Sequence, residues 1–368
     1  MKRVNIQALV PGMITAEDVY TYGNQLILPK HTVLSDKAIT RLEFYSVPSI
    51  RILDEAAEDE TAGSPGGEAD TPALPEPSYS ELIQASPAFT QFKADYDETV
   101  DAFRDQLNDI VQKDAAIDVQ EIFADTVKLF NRENNTTYSL LHMLQNMRQY
   151  DDLTYAHCMN VALICNLFAG WLRLSPEETQ IATMSGLLHD IGKLAIPDQI
   201  IKKPDKLTDQ EYTIIKKHTI EGYNILKKQN ISDHIKNAAL MHHERCDGCG
   251  YPFGLPENKI DKFAKIVAIA DVYDAMTAAR VYRGPLCPFT VIEIFEKEGL
   301  QKYDSAYILC FLENVIQTYM NNRVLLSNGL TGDIVYINKQ TLSRPMVKCG
   351  DSFIDLSAEK ELSIVQIV

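Results

Sequence analysis

A mostly α-helical protein with a small β-rich unit at each end is the fold class this sequence predicts, on three observations. Across residues 119–320 apolar side chains recur at helical intervals with few breaks. Before residue 53 and after Asn321 that pattern gives way to short alternating runs, punctuated by Pro11-Gly12, Asn328-Gly329 and Cys349-Gly350-Asp351. The chain has 368 residues and 45% apolar content, enough to bury a core under several domains.

The elements follow in order. Residues 1–53 read as a β-rich N-terminal domain, with apolar runs at 25–28 and 50–53 broken by Tyr22-Gly23-Asn24 and Pro48. Residues 54–78 are acidic and rich in Gly, Pro and Ala with almost no large apolar side chain, the composition of a flexible linker. Residues 79–117 read as connecting helices, in which Phe89, Phe92, Tyr96, Val100, Phe103 and Leu107 fall on one stripe. Such a stripe is a packing or dimer face before it is a ligand box. Residues 118–323 form the main helical domain. Ser175-Pro176-Glu177-Glu178 and Thr208-Asp209-Gln210-Glu211 mark two helix starts within it, each with a glutamate three residues after the cap. Residues 324–368 form a β-rich C-terminal extension. Neither terminal unit carries a residue that identifies a ligand.

Composition narrows the function classes. Between Asp54 and Asp101 thirteen acidic residues stand against one base, Lys93, so most of the −16 net charge sits there. The overall acidity argues against a general nucleic-acid or anionic-membrane surface, but an anionic substrate stays compatible with the rest of the chain. No apolar run approaches the ~20 residues of a membrane span. The start, Met1-Lys2-Arg3-Val4-Asn5-Ile6, lacks the apolar region of a secretory signal. The seven scattered cysteines fit a reduced compartment better than a disulfide framework. A cytoplasmic protein is expected.

The chemistry concentrates in one series: His157, His189-Asp190, His218, His242-His243 and Asp271. Five of the eight histidines belong to it. Each member lies on a stretch that reads as helix, so a bundle can turn all of them toward one place. Singly, each has a plain alternative. His157 can be a hydrogen-bonded core residue, His189-Asp190 a structural pair, and His218, read as mid-helix, a solvated side chain. Two adjacent histidines on a helix point about 100° apart, which two metals explain better than one. Asp271 lies in the apolar run Val267-Ala268-Ile269-Ala270-Asp271-Val272-Tyr273, where a carboxylate is costly to bury without a partner or a metal. Imidazole and carboxylate without thiolate suit iron, manganese or zinc.

That series, with the run His242-His243-Glu244-Arg245-Cys246-Asp247-Gly248-Cys249-Gly250-Tyr251-Pro252, resembles the HD-GYP family of metal-dependent cyclic-dinucleotide phosphodiesterases. The resemblance covers residues 118–323 and neither terminal unit. It implies an HD-superfamily helical bundle and hydrolysis of cyclic di-GMP to pGpG, and onward to GMP in some members, by attack of a hydroxide bridging two metals. It places His157, His189, Asp190 and Asp271 on one divalent ion, with Asp190 bridging to a second ion held by His218, His242 and His243. Iron or manganese is implied first, with zinc and nickel as alternatives. Lys193 matches the family's phosphate-contacting lysine, and with Asp190 is assigned to catalysis. Arg280 and Arg283 match its basic substrate positions. Gly250, Tyr251 and Pro252 carry the Gly-Tyr-Pro motif, with Tyr251 offering an aromatic face for a guanine or a partner and the glycines allowing close backbone approach.

Some members carry a glutamate four residues before the first histidine, where it holds a third metal. Here that position is Leu153, which cannot ligate, and Asp152 sits on a different helix face, so two metals are expected. Cys246 and Cys249 form a lone Cys-x-x-Cys, weak as a redox or metal signal. Three rival readings stand: another cyclic dinucleotide such as cyclic GMP-AMP as substrate, a binding module for the dinucleotide or for a diguanylate cyclase, and a generic HD nucleotidase. A GGDEF-type cyclase and a second copy of the chain are the protein partners implied.

Overall fold

The computed structural model describes residues 2–5, 9–20, 26–35, 38–39, 42, 49–53, 83–130, 137–147, 153–201, 203, 207–277 and 286–368. The linker of residues 54–78 lies outside them, as do Asp152, Arg280 and Arg283. Among the described residues no helix is long and apolar enough to cross a membrane.

The N-terminal unit is built from two short antiparallel pairs. β1 (Lys2–Asn5) pairs with β4 (Ser49–Ile52), and β2 (Val19–Tyr20) with β3 (Leu26–Leu28). Its own core gathers Leu9, Val19, Leu28, Leu34, Ile39, Leu42, Ile50 and Ile52.

The helical region opens with α1 (Pro87–Lys113). Ser86 caps it by accepting from the Phe89 amide, and Pro87 supplies the preset first turn. The expected stripe is buried in full, extended by Ile110. It packs within the chain, against the helix that carries His157. Seven such side chains contribute on the order of 10–20 kcal/mol of gross burial energy at ~1.5–3 kcal/mol each.

Then follow α2 (Val119–Lys128), α3 (Thr137–Asn146), α4 (Leu153–Trp171) and α5 (Pro176–Leu188). The capping box at Ser175 and Glu178 forms as its sequence signals. α4 and α5 touch at Gly186, where an added Cβ would lie 2.9 Å from both the Ala162 Cα and the Val161 carbonyl oxygen. A 3₁₀ turn (Ile191–Ala195) and a one-turn helix (Asp198–Ile201) lead to α6 (Asp209–Ile215), α7 (His218–Lys227) and α8 (Asp233–Met241). The capping box at Thr208 and Glu211 is also present. α9 (Lys262–Thr277) is buried over most of its surface, and α10 (Pro288–Ile294) and α11 (Ser305–Gln317) complete the bundle.

The C-terminal strands β5 (Arg323–Leu326), β6 (Thr331–Tyr336), β7 (Met346–Cys349), β8 (Ser352–Asp355) and β9 (Ile364–Ile367) form one antiparallel sheet in the order β8-β7-β6-β5-β9. The expected extension is therefore present, and it does not stand apart. Val324, Leu326, Ile334, Val347 and Ile364 belong to the same core as the helices. The Glu296 carboxylate beyond α10 also accepts from the Leu342 amide and the Ser343 hydroxyl. Alternation in the sequence identifies strands but carries no information on what their buried face meets.

Candidate metal centre

Three histidines are placed by one local device. At the end of a helix the last carbonyls lack amide partners. His189, at the cap of α5, donates Nδ1–H to the Gly186 carbonyl at 2.7 Å. His242, at the cap of α8, donates to the Ala238 and Ala239 carbonyls at 3.1 and 3.0 Å. His218 donates to the Ile215 carbonyl at 2.7 Å. That last bond corrects the expectation that His218 lies mid-helix. Its ring competes for the carbonyl the helix would use, α6 ends at Ile215, and His218 begins α7. Because a carbonyl only accepts, each Nδ1 must carry the hydrogen, and in the neutral ring Nε2 is left as the acceptor and ligand atom.

Those acceptor atoms converge. His218 Nε2 and His242 Nε2 lie 3.3 Å apart, a repulsive pairing of two acceptors unless a cation or a proton sits between them. The buried His189 Nε2 and Asp190 Oδ1 have no hydrogen-bond partner. Ligand atoms fall into triads within 4.8 Å of one another: His157, His189 and Asp271; His218, His242 and His243; and His189, Asp190 and His242. Asp190 lies between the first two. Its Oδ2 faces His189 Nε2 at 3.3 Å and His157 Nε2 at 3.8 Å. Its Oδ1 faces His218 Nε2 at 3.4 Å and His242 Nε2 at 3.8 Å. One carboxylate thus turns one oxygen to each side.

The electrostatics agree with a site built for cations. Burial, reinforced by His189 and His218, pushes the His242 imidazole down to about 3, so it is neutral and able to ligate. Burial likewise lowers His218 and His243. Burial alone would raise Asp190, but Lys193, His189 and His218 outweigh it and hold the carboxyl well below the usual range. Asp271 is held down in the same way by His157. His157 is the exception. Burial would lower it, yet Asp271 at 3.1 Å and Asp274 at 2.7 Å raise it to about 10. Loading a metal on that side therefore displaces a proton. Orphaned acceptors, neutral imidazoles and ionised carboxylates in two adjoining triads fit a pair of divalent ions.

Lys193, in the 3₁₀ turn, places its ammonium 2.5 Å from Asp190 Oδ2. Leu153 opens α4 one turn before His157. The Tyr251 ring stacks on His243, with centroids 4.6 Å apart and planes 25° off parallel. That face of the phenol is taken by a histidine. Gly250 is pressed against backbone: an added Cβ would lie 2.5 Å from the Arg245 nitrogen, the Glu244 Cα and the His243 carbonyl oxygen. Cys246 and Cys249 are free thiols and join none of the candidate metal groups among the described residues.

Sequence reasoning missed four participants. Asp274, three residues after Asp271 on one face of α9, accepts from His157 Nδ1. A second carboxylate in so apolar a helix was the available signal. Glu244 is 2% exposed, and its two oxygens accept from the Phe253 and Leu255 amides at 2.8 and 2.9 Å, folding the loop back over the site. Gly192 and Gly222 bring the 3₁₀ turn and α7 into backbone contact. Nothing in the sequence pairs those two glycines.

Comparison with known proteins agrees with this geometry. A family model described as HD domain matches residues 119–307. A cyclic di-GMP phosphodiesterase of Pseudomonas aeruginosa is 31% identical over 86% of this chain and 74% of its own length. A cyclic di-GMP phosphodiesterase response regulator of Xanthomonas campestris is 38% identical over 49% of this chain and 47% of that protein. A 3'3'-cGAMP-specific phosphodiesterase of Vibrio cholerae is 38% identical over 45% of this chain and 39% of that protein. The chain thus spans about three quarters of the first relative and less than half of the other two. With the histidine–aspartate series gathered in one pocket and the Gly-Tyr-Pro loop folded against it, the chain belongs to the HD-domain family, in its HD-GYP branch.

Proposed function

We propose that this chain is a metal-dependent phosphodiesterase that hydrolyses cyclic di-GMP to linear pGpG. The observation that carries the reading is Asp190, whose two oxygens are divided between two histidine-rich triads with unspent lone pairs. His157, His189, Asp190 and Asp271 would hold one divalent ion, and Asp190, His218, His242 and His243 the other. Iron and manganese suit this nitrogen–oxygen donor set first, with zinc and nickel behind. Two such ions supply a nucleophile at neutral pH and neutralise charge on the phosphoryl oxygens.

The rest is the work of the chain's own residues. Asp190 holds the two triads at a fixed separation. Lys193, now paired to Asp190, has an ammonium that turns to the phosphate once the carboxylate serves the ions. Arg280 and Arg283 grip the substrate's phosphates as fork donors. Tyr251 steadies His243 with one face, and Gly250 and Pro252 shape the loop beside it. A GGDEF-type cyclase is the proposed protein partner, and the chain is proposed to pair with a second copy.

Replacing Lys193 by Met should leave both ions bound while lowering kcat/KM roughly tenfold to a hundredfold, since a charge-assisted contact is worth about 1.5–3 kcal/mol. Alanine at Arg280 or Arg283 should act more on KM. Parent-like kinetics in all three variants would remove the proposed pose. Cyclic GMP-AMP is the second reading, favoured by the similarity to the Vibrio enzyme. Turnover of both dinucleotides by metal-quantified protein decides between them: faster hydrolysis of cyclic di-GMP is expected, and a preference for cyclic GMP-AMP reverses the assignment.

A further inference from the structure

The histidines of the pocket differ in what fixes them. His189 and His242 are held by carbonyls of the helices they cap, and His218 by the last carbonyl of α6, three residues before it, so each is fixed by its own local turn. His157 is held by Asp274, on α9, so its position depends on how α4 lies against the rest of the bundle. Besides α5 and α9, α1 packs on α4 at that level. Tyr96 of α1 is 3% exposed, and its hydroxyl lies 2.9 Å from the carbonyl oxygen of Ala156, the residue before His157. The same hydroxyl lies 2.6 Å from Asn160 Oδ1, one turn further along α4. Phe103 packs edge-on against Tyr155, with centroids 6.4 Å apart. The phenol also lies within the field of Asp274, which helps to raise its pKa beyond what burial does. A hydroxyl on one helix therefore bridges the turn of another that carries a metal-facing imidazole.

We propose that Tyr96 is a positioning residue for His157, fixing the turn of α4 that aims the imidazole between Asp271 and Asp190. The inference rests on the proposed binuclear reading. It gives α1 a task besides burial. This helix follows directly on the region that joins the N-terminal unit, so a displacement along α1 reaches the pocket through one buried hydroxyl. The Tyr96 hydroxyl acts one step beyond Asp274, which itself touches the imidazole. Its removal should therefore act at the mild end of what such supporting contacts do, with metal affinity on the His157 side weaker by roughly threefold to tenfold.

The test is manganese(II) titration calorimetry on metal-free, full-length protein, with melting temperatures taken alongside. Tyr96→Phe keeps the ring and its packing and removes the hydroxyl. The parent should bind two equivalents, and Tyr96→Phe should weaken one binding event and not the other. Asn160→Ala should do the same from the α4 side. Tyr155→Phe, which removes a hydroxyl 3.4 Å from Asn108 at the same interface, should leave manganese affinity unchanged. Kinetics at subsaturating manganese should show lower kcat for Tyr96→Phe with KM unaltered. If Tyr96→Phe lowers the melting temperature but binds manganese as the parent does, Tyr96 is structural only and the proposal falls. Equal weakening by Tyr155→Phe would overturn it as well. A parent that binds no manganese would instead defeat the proposed function, an outcome separable from these.

Discussion

Replacing Asp190 by Ala should abolish turnover and strip the pocket of metal on both sides at once. Asp190 turns one oxygen to each triad, 3.3 Å from His189 and 3.4 Å from His218. The substitution also leaves the Lys193 ammonium without the carboxylate it now touches at 2.5 Å, adding positive charge where cations must bind. Loss of several kcal/mol of transition-state charge stabilisation corresponds to roughly a thousandfold or more in rate. Metal analysis of the purified variant should return well under two ions per chain. A variant with full metal occupancy and near-parent rate would mean that the pocket is assigned wrongly.

Gly192→Ala should be nearly as damaging without touching a ligand. A Cβ at this position would lie 1.9 Å from the His218 carbonyl oxygen and 2.4 Å from the Gly222 nitrogen. Both are backbone atoms, so no rotamer relieves the clash, and the 3₁₀ turn that follows Asp190 must separate from α7. Overpacking of this severity costs about 3 kcal/mol, a fall of roughly 6–12 °C in melting temperature for a domain of this size. Metal affinity should fall with it, because Asp190 and His218 sit on the two segments forced apart. Gly170→Ala is the control. It lies in α4 with nothing within 4 Å of an added Cβ, and should be neutral or slightly stabilising. Differential scanning calorimetry of the two variants decides the matter. Equal melting temperatures would show that the turn relaxes without cost.

Much of this architecture is legible from local sequence. The α1 stripe, the two capping boxes and the C-terminal strands lie where the residues place them, because period and capping are local properties. The histidines and aspartates gathered in the pocket are also legible as a set, since they recur at characteristic spacings. Their local setting is not. The sequence reads His218 as mid-helix, yet it follows the end of α6 and begins α7, and His242 caps α8, because an imidazole that bonds the last carbonyls of a turn halts the helix there. Asp274, Gly192 with Gly222, and the burial of the C-terminal sheet depend on contacts between segments distant in sequence. Arg280 and Arg283 fall outside the described residues, so their roles rest on the family resemblance.

The central claim is that two ions, joined through Asp190, are needed for phosphodiester hydrolysis. It is tested most directly by stepwise reconstitution. Metal-free protein is titrated with manganese(II) under anaerobic conditions, and cyclic di-GMP hydrolysis is followed against bound metal per chain. With Leu153 where a third-metal glutamate would stand, negligible rate is expected at one equivalent, then a steep rise on filling the second site and a plateau at two with pGpG as the product. Full turnover at one equivalent, or a rate that keeps rising to three, would contradict it.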